Sequence, residues 1–160
     1  MSAVHLATLR PADVDAALSL WASTEHLAPV PRDEVLALLA RDEDLVVAAF
    51  DADRLVGVVI GTFDGRRGWI QRLAVAPRAR GRGVGRALVT EVETRLAALG
   101  CRRVNLMTFP DNLDGQRFWA RAGYGSVAEV ALFSRTLGGE TADTHRPTGG
   151  HTDSPRDPGC

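Results

Sequence analysis

The sequence contains no lysine, and all 19 of its basic residues are arginine. This absence excludes phosphate binding by a Walker-type lysine and Schiff-base catalysis by a lysine amine. Only two cysteines occur, Cys101 and Cys160, so no disulfide framework is indicated and a reducing cytosol fits better. No apolar run reaches the roughly 18 residues of a membrane span, and residues 1–10 lack the apolar core of a signal peptide. We therefore expect a soluble, cytoplasmic protein.

The sequence also has almost no net charge. Its 20 acidic and 19 basic residues give a formal net charge of −1 at pH 7. A protein with so little net charge has no overall field that would draw it onto nucleic acid or a membrane surface. We therefore expect neither nucleic acid nor a membrane as a partner.

Composition divides the chain into two parts. The whole chain has 160 residues, 45% of them hydrophobic and 24% charged, which is typical of one globular domain. From residue 138 onwards glycine, proline and polar residues dominate, and such a segment cannot bury enough apolar surface to offset its ordering entropy. We predict one folded domain over residues 1–137 and a disordered tail over residues 138–160.

Apolar periodicity predicts alternating strands and helices in the folded part. Strands are predicted at residues 4–10, 45–50, 55–63, 69–75 and 103–109, with further strand material for a terminal hairpin at 124–137. Helices are predicted at residues 11–24, 32–41, 84–99 and 116–122. The three consecutive strands joined by short turns predict an antiparallel meander. The fold class is therefore α+β, with a mixed, mostly antiparallel central sheet flanked by helices.

The segment APRARGRGVGRAL (76–88) lies between a predicted strand and a predicted helix. Glycines such as Gly81 and Gly83 let the backbone approach an anion, and the first N–H groups of the helix are free to bind one. Flanking arginines add charge-assisted hydrogen bonds. The alternative is a solvated basic loop with a helix cap. A Rossmann fingerprint does not fit, because Arg86 stands where the last glycine of G-x-G-x-x-G should be.

Several motifs together resemble the GNAT N-acetyltransferases. The residues RGRGVG (80–85) are similar to the family's pyrophosphate-binding signature Q/R-x-x-G-x-G/A, and LAVAP (73–77) is similar to its central strand. The residues NLDGQRFWARAGY (112–124) resemble its N-x-x-A-x-x-F-Y-x-x-x-G-F/Y segment, and the order of elements agrees from Val4 to Leu137. The segments LSLWAS, FDGRRG and LGCRRVNL further resemble small, single-domain bacterial members.

The resemblance implies acetyl-CoA as the acyl donor and no metal. The residues that would hold its pyrophosphate, mainly through backbone N–H groups, are Arg80, Gly81, Arg82, Gly83, Val84, Gly85 and Arg86. Backbone groups of Leu73, Ala74 and Val75 would face the pantetheine arm, in a cleft where their strand splays from the strand at 103–109. The implied reaction is acyl transfer to an amine, with a backbone N–H near Ala74 or Val75 stabilising the oxyanion.

The segment after residue 111 carries further family positions. Asn112 would contact the cofactor arm, or would cap a helix instead, and Phe118 would pack beside it. The family's usual tyrosine acid aligns with Trp119, whose indole N–H donates a hydrogen bond but is not a practical acid. Water, or Tyr124 after a rearrangement, could supply the proton.

The general base is not at the family's usual strand positions, which here hold Gln71, Arg72 and Met107. The remaining acid–base candidates are Glu25, His26, Asp64 and Glu129. Glu25 and His26 lie in the loop after the first helix, which in this fold borders the acceptor site, although His26 also fits a plain loop histidine. Asp64 fits a structural turn. Glu129 is predicted in the middle of a strand, where it points either outward or into the cleft.

The leading hypothesis is an acetyl-CoA-dependent N-acetyltransferase that acts on a primary amine of a small molecule, an amino acid or a peptide N-terminus. The alternative is a non-catalytic acyl-CoA-binding module with a degenerate active site, which the missing tyrosine and glutamate favour somewhat. A nucleic-acid-binding arginine loop is a third interpretation, but the net charge and the lack of interleaved aromatic residues argue against it. Because many relatives dimerise, a homodimer is one alternative for the assembly.

Overall fold

The computed structural model describes residues 3–135 and 137. Its strands are β1 (Val4–Thr8), β2 (Val46–Asp51), β3 (Arg54–Phe63), β4 (Gly68–Val75) and β5 (Val104–Asn105). Its α-helices are α1 (Val14–Ala22), α2 (Arg32–Asp42), α3 (Val84–Ala98) and α4 (Leu113–Arg121). Short 3-10 turns occupy Pro11–Asp13, Glu43–Leu45 and Pro77–Ala79.

The strands form one open, five-stranded sheet in the order β1-β2-β3-β4-β5. The first four strands pair antiparallel in sequence order, and β5 pairs parallel to β4. The predicted meander is β2, β3 and β4, joined by short turns as expected for adjacent antiparallel strands. The predicted mixed, mostly antiparallel sheet flanked by helices is therefore confirmed.

Both faces of the sheet centre are covered. Consecutive residues of β3 from Val56 to Ile60 are buried, and consecutive residues of a strand point to opposite faces. Helix α3 covers one face, because a Cβ added at Gly57 would lie 2.9 Å from Leu88 and one at Gly61 would lie 2.7 Å from Val92. Helix α1 packs on β3 and β4 and covers the other face. The centre of the sheet therefore lies between two layers of helices.

Two strand predictions are wrong in extent. Strand β5 has only two residues, whereas a strand over residues 103–109 was expected. It is short because it pairs only with the first two residues of β4, Gly68 and Trp69. The described residues between 124 and 137 contain no strand, so the expected terminal hairpin is absent from that part of the chain. Val130 and Phe133 are instead 72% and 91% exposed. Apolar alternation favours a strand but does not supply the neighbouring edge that a strand needs.

The remaining predictions differ little or lie outside the described residues. Helix α4 starts at Leu113, earlier than expected, because Asn112 caps it. The predicted disordered tail at 138–160 lies outside the residues that the structure describes. Within the described part, no helix has both the length and the apolar character needed to cross a bilayer.

Candidate functional site

Strand β4 contains a bulge at the level of Arg72. Ala74 pairs with Val58 and Gln71 pairs with Ile60, so two residues of β4 stand opposite one residue of β3. Arg72 itself has a positive φ of 55°. A bulge bends its strand and turns the residues after it. The residues that bend away are those expected to contact an acyl donor.

Beyond the bulge, β4 has no strand on its outer edge. Strand β5 pairs only with Gly68 and Trp69, so a gap opens along the rest of β4. Because the N–H of Ala76 donates to Val56 on β3 at 2.8 Å and alternate residues face opposite edges, the N–H and C=O of Val75 face the gap. Of the two expected oxyanion donors, Val75 therefore has its N–H on the open side.

The glycine loop lies directly after this open edge. Gly81 and Gly83 have φ values of 72° and 77°, and Gly83 is the N-cap of α3. A Cβ added at either position would meet nothing within 4 Å, so glycine is needed for the left-handed backbone and not for space. The first N–H groups of α3 have no partner within the helix, and the helix dipole favours an anion there.

The arginine side chains of the loop contact the protein itself. Arg80 Nε donates to the Val75 carbonyl at 3.0 Å, and Arg86 Nη1 donates to the Arg121 carbonyl at 2.9 Å. Arg82 forms an ion pair with Asp51 at 3.2 Å. These contacts hold the loop against β4 and α4, so the backbone N–H groups remain the best-placed donors for a phosphate.

The third glycine of the loop has a different role. A Cβ added at Gly85 would lie 3.3 Å from Phe118 Cε2 and 3.6 Å from Val75 Cγ2. Phe118 is half-buried there, and its ring meets Trp119 edge-on at 5.0 Å. Gly85 thus lets α4 approach the start of α3.

Asn112 is the N-cap of α4. Its side-chain oxygen accepts a hydrogen bond from the Gly115 N–H at 3.0 Å. Gly115 leaves room for this cap, because an added Cβ would lie 2.5 Å from Asn112 Nδ2. The capping role predicted for Asn112 is confirmed, and its contact with a cofactor stays a prediction.

Tyr124 does not face the gap in this arrangement. Its hydroxyl donates to Glu93 Oε1 on α3 at 2.6 Å, and its ring meets Trp119 edge-on at 5.3 Å. Burial, aided by the hydrogen bond to Glu93, raises the pKa of Tyr124 well above its ordinary value. A raised pKa makes the phenol a weaker acid, so Tyr124 is poorly suited to protonate a leaving thiolate.

His26 contacts the chain segment after β5. It lies in the loop after α1 with a positive φ of 65°, and its ring packs near that of Phe109 at 6.2 Å. Its Nδ1 lies 4.0 Å from Asp111 Oδ1, and its Nε2 lies 3.6 Å from Glu25 Oε1. A half-buried imidazole flanked by two carboxylates therefore stands beside the segment that follows β5.

Arg72 connects the same loop to β4. Its Nη2 donates to the carbonyl of Ala28, and its guanidinium lies 5.1 Å above the Trp21 ring. Trp21 Nε1 in turn donates to the Arg72 carbonyl at 2.8 Å. The Nε of Arg72 is buried without a partner, and burial lowers the pKa of Arg72. The loop after α1 thus runs from the bulge of β4 to the segment after β5.

The other acidic candidates lie apart from the gap residues. Asp64 Oδ1 accepts the N–H groups of Arg67 and Arg66 at 2.6 and 2.7 Å, and these bonds lower the pKa of Asp64. This is the structural turn that was expected. Glu129 lies in an exposed turn and not in the middle of a strand, so the placement predicted from its neighbours is wrong. The catalytic role of Glu129 stays a prediction, and it no longer has a strand position in its favour.

Sequence reasoning did not single out Arg72 as a functional residue. The signal was present, because an arginine stands between apolar residues in a central strand.

Within the described residues, no group of three or more His, Cys, Asp or Glu side chains is arranged to hold a metal ion.

Comparisons with known proteins place this site in a family. The Acetyltransferase (GNAT) family matches residues 15–124. An acetyltransferase of Pectobacterium atrosepticum is 35% identical over 136 residues, which are 84% of this chain and 96% of the relative.

Solved structures share the fold. Ard1 from Thermoplasma volcanium has a TM-score of 0.73 and 23% identity, covering 79% of this chain and 85% of that one. Arabidopsis thaliana Naa50, in complex with the bisubstrate analogue CoA-Ac-MVNAL, has a TM-score of 0.65 and 21% identity, covering 75% and 82%. The glycine loop, the gap beside β4 and the match to the relatives agree: the chain belongs to the GNAT acetyltransferase family and is an acyltransferase.

Proposed function

We propose that this protein is an acetyl-CoA-dependent N-acetyltransferase acting on a primary amine. The observation that carries the proposal is the position of the gap. The open edge of β4 ends at Val75, and the chain passes directly from there into the glycine loop and α3. A molecule whose pyrophosphate is joined to its thioester by an extended pantetheine arm matches this layout.

The residues of the loop fit the pyrophosphate of acetyl-CoA. The left-handed turns at Gly81 and Gly83 expose the backbone ahead of α3 without any side chain in the way. Free N–H groups at a helix start form a ready anion site. Backbone groups of Leu73, Ala74 and Val75 would accompany the pantetheine arm along the gap. Asn112 and Phe118 would border the arm from α4.

The chemistry proposed is direct attack of a neutral amine on the thioester. The Val75 N–H faces the gap and would donate to the carbonyl oxygen as negative charge develops there. A thiol has a pKa of about 8.5, so the departing thiolate needs little help from an acid. This suits a site in which Trp119 replaces the family's tyrosine and Tyr124 is bound to Glu93.

His26 is proposed to accept the amine proton. It is the acid–base candidate that contacts the segment after β5, and a neutral imidazole is a suitable base near neutral pH. Asp111 and Glu25 place negative charge beside the ring and would attract a cationic amine to it. The other candidates for proton transfer are Glu129, which is exposed in a turn, and Trp119, whose indole N–H is not a practical acid.

The acceptor is proposed to be a small molecule, an amino acid or a peptide N-terminus. GNAT enzymes act on amine acceptors. The structure of Naa50 contains the bisubstrate analogue CoA-Ac-MVNAL, so a peptide is one acceptor class among structural relatives. A cytoplasmic location and a homodimer are proposed with it, and nucleic acid is not proposed as a partner.

Isothermal titration calorimetry with acetyl-CoA, and separately with ATP and NAD, tests the proposal. We expect micromolar binding of acetyl-CoA alone, and then CoA release when a panel of primary amines is added. Binding of acetyl-CoA without turnover across that panel would favour the non-catalytic binding module. Absence of binding for acetyl-CoA and for longer acyl-CoA thioesters would overturn the donor assignment.

A further inference from the structure

Arg72 carries a positive charge that the described part of the chain leaves largely uncompensated. No carboxylate of those residues lies within ion-pair distance of its guanidinium. The acidic group that acts on it electrostatically is Glu34, an exposed residue in the first turn of α2. A half-buried charge without a close counter-ion is costly unless another group supplies one.

The contacts of Arg72 occupy only some of the hydrogen-bond donors of its guanidinium. Stacking on Trp21 and the bond from Nη2 to Ala28 hold the group in place. Nε is buried and has no partner, whereas Nη1 is not among the fully buried atoms and makes no hydrogen bond with the described residues. If Arg72 only anchored the loop after α1, the hydrogen bond from Nη2 would be explained, but the unpaired donor at Nη1 would not.

Arg72 lies at the bulge of β4, next to the residues proposed to accompany the acyl donor. Arg72 immediately precedes Leu73, the first residue proposed to lie along the acyl donor. Its side chain reaches the loop after α1, and His26 of the same loop contacts Phe109 in the segment after β5. The loop after α1 therefore contacts the Arg72 guanidinium at Ala28 and, two residues earlier, carries the proposed base His26.

We propose that Arg72 binds a carboxylate of the acceptor, so that the acceptor is an amino acid whose amine is acetylated. This inference rests on the proposed function and adds the substrate class. The carboxylate would supply the counter-ion that the chain lacks, through a charge-assisted hydrogen bond from Nη1. The amine, a few bonds away, would then lie between His26 and the thioester.

The test compares amino acids with their α-carboxamides as probes. Each pair keeps the amine and the side chain, and the amide lacks the negative charge of the acid. Binding to the full chain is measured by calorimetry in the presence of saturating CoA, which needs no turnover. We expect at least one amino acid to bind about tenfold or more tightly than its amide.

Variants connect the preference to the side chain. Arg72→Met should remove the preference for the acid, Arg72→Lys should keep part of it, and Arg41→Met, at an exposed arginine of α2, should leave it unchanged. Equal binding of acids and amides, no binding of either, or a preference that persists in Arg72→Met would overturn the inference.

The test of Arg72 can be distinguished from the test of acetyl-CoA as the acyl donor. Acetyl-CoA affinity of the wild-type chain is measured first. If acetyl-CoA binds and acids show no preference, only the role of Arg72 fails. If acetyl-CoA does not bind, the proposed function fails. Should Arg72→Met not fold, equal binding of acid and amide by the wild type would still overturn the inference, and so would an unchanged preference for the acid in Arg72→Lys.

Discussion

The three glycines of the loop serve two different physical purposes. Gly81 and Gly83 adopt left-handed backbone with open space around them, whereas Gly85 is needed for the close approach of Phe118. Substitutions at these positions therefore have different consequences. At Gly83 any side chain costs conformational strain and stands in front of the helix start, whereas at Gly85 a side chain would push α4 away.

Gly83→Glu is expected to abolish acetyl-CoA binding, because it places a carboxylate where the pyrophosphate would lie. Calorimetry on the folded variant measures this. Gly83→Ala controls for the strain of a non-glycine residue at positive φ, about 1–2 kcal/mol, without the charge. Gly65→Glu, at another exposed positive-φ glycine in the β3–β4 turn, controls for the charge. Unchanged affinity in Gly83→Glu would contradict the loop assignment.

Trp119→Tyr is expected to give equal or higher turnover. A tyrosine ring can keep the edge-on contacts with Phe118 and Tyr124, and it adds a hydroxyl with a pKa of about 10. Steady-state kinetics with the best amine of the panel measures the effect, and Trp119→Phe separates the ring from the hydroxyl. A large loss of kcat in Trp119→Tyr would mean that the indole has a specific role.

His26→Asn is expected to lower kcat by about 10²- to 10⁴-fold, the usual contribution of a positioned base. Asparagine tolerates the left-handed backbone at this position, so the loop should keep its shape. Acetyl-CoA affinity should not change. His5→Asn, on β1 against Phe50, is the matched control. A kcat equal to that of the wild type would exclude His26 as the base.

At the scale of elements, β4 does most to position the site. It carries the bulge at Arg72, the open edge at Val75 and, through the turn before it, the connection to β3. That turn is held by the Asp64 carboxylate, which accepts two backbone N–H groups. The register of β4, and with it the direction of the Val75 N–H, depends on this turn.

Asp64 is expected to make the stability of the turn depend on pH. The N–H groups of Arg67 and Arg66 lower the pKa of Asp64 in the folded state, so its stabilisation is full above the unfolded pKa of about 3.9. It is lost as the pH falls through the folded pKa. Asn can accept the same two bonds without a charge, so the difference in unfolding free energy between wild type and Asp64→Asn should shrink in that acidic range.

Urea unfolding between about pH 7 and about pH 3 measures this difference. Asp53→Asn, in the exposed turn between β2 and β3, is the control variant. A difference that stays constant across the range would mean that the carboxylate charge does not stabilise the turn.

At the scale of the whole molecule, the described domain ends in an exposed apolar stretch. Leu132 and Leu137 are 61% and 83% exposed, whereas Tyr124 is half-buried against α3 and α4. Tyr124 is the last residue along the described chain whose side chain is partly buried against the core. The described residues beyond Tyr124 contribute little buried surface to the domain.

A chain that ends at residue 137 is expected to keep the melting temperature and the acetyl-CoA affinity of the full chain. The residues removed are those predicted to bury no apolar surface. Differential scanning calorimetry and titration measure the two quantities. A chain that ends at residue 123 should melt lower, because it also loses the Tyr124 contacts with Trp119 and Glu93. Lost affinity on removal of 138–160 would make the tail part of the site.

Local signals in the sequence determined the meander, helix α3, the glycine loop and the cap at Asn112. Apolar periodicity, positive-φ glycines and capping residues act through neighbours in the chain, so their consequences can be derived from the residues themselves. The motif spacing was also enough to indicate the family. The same local reasoning overextended β5 and predicted a hairpin after residue 124, because periodicity does not specify a pairing partner.

The tertiary structure decided where the gap opens and which side chains border it. The bond from Trp21 to Arg72 joins residues 51 positions apart, and that from Tyr124 to Glu93 joins residues 31 apart. Such contacts depend on how α1, α3 and α4 pack on the sheet, which no local pattern encodes. The same packing leaves Arg72 without a counter-ion among the described residues, brings His26 beside the segment after β5 and turns the Tyr124 hydroxyl towards α3.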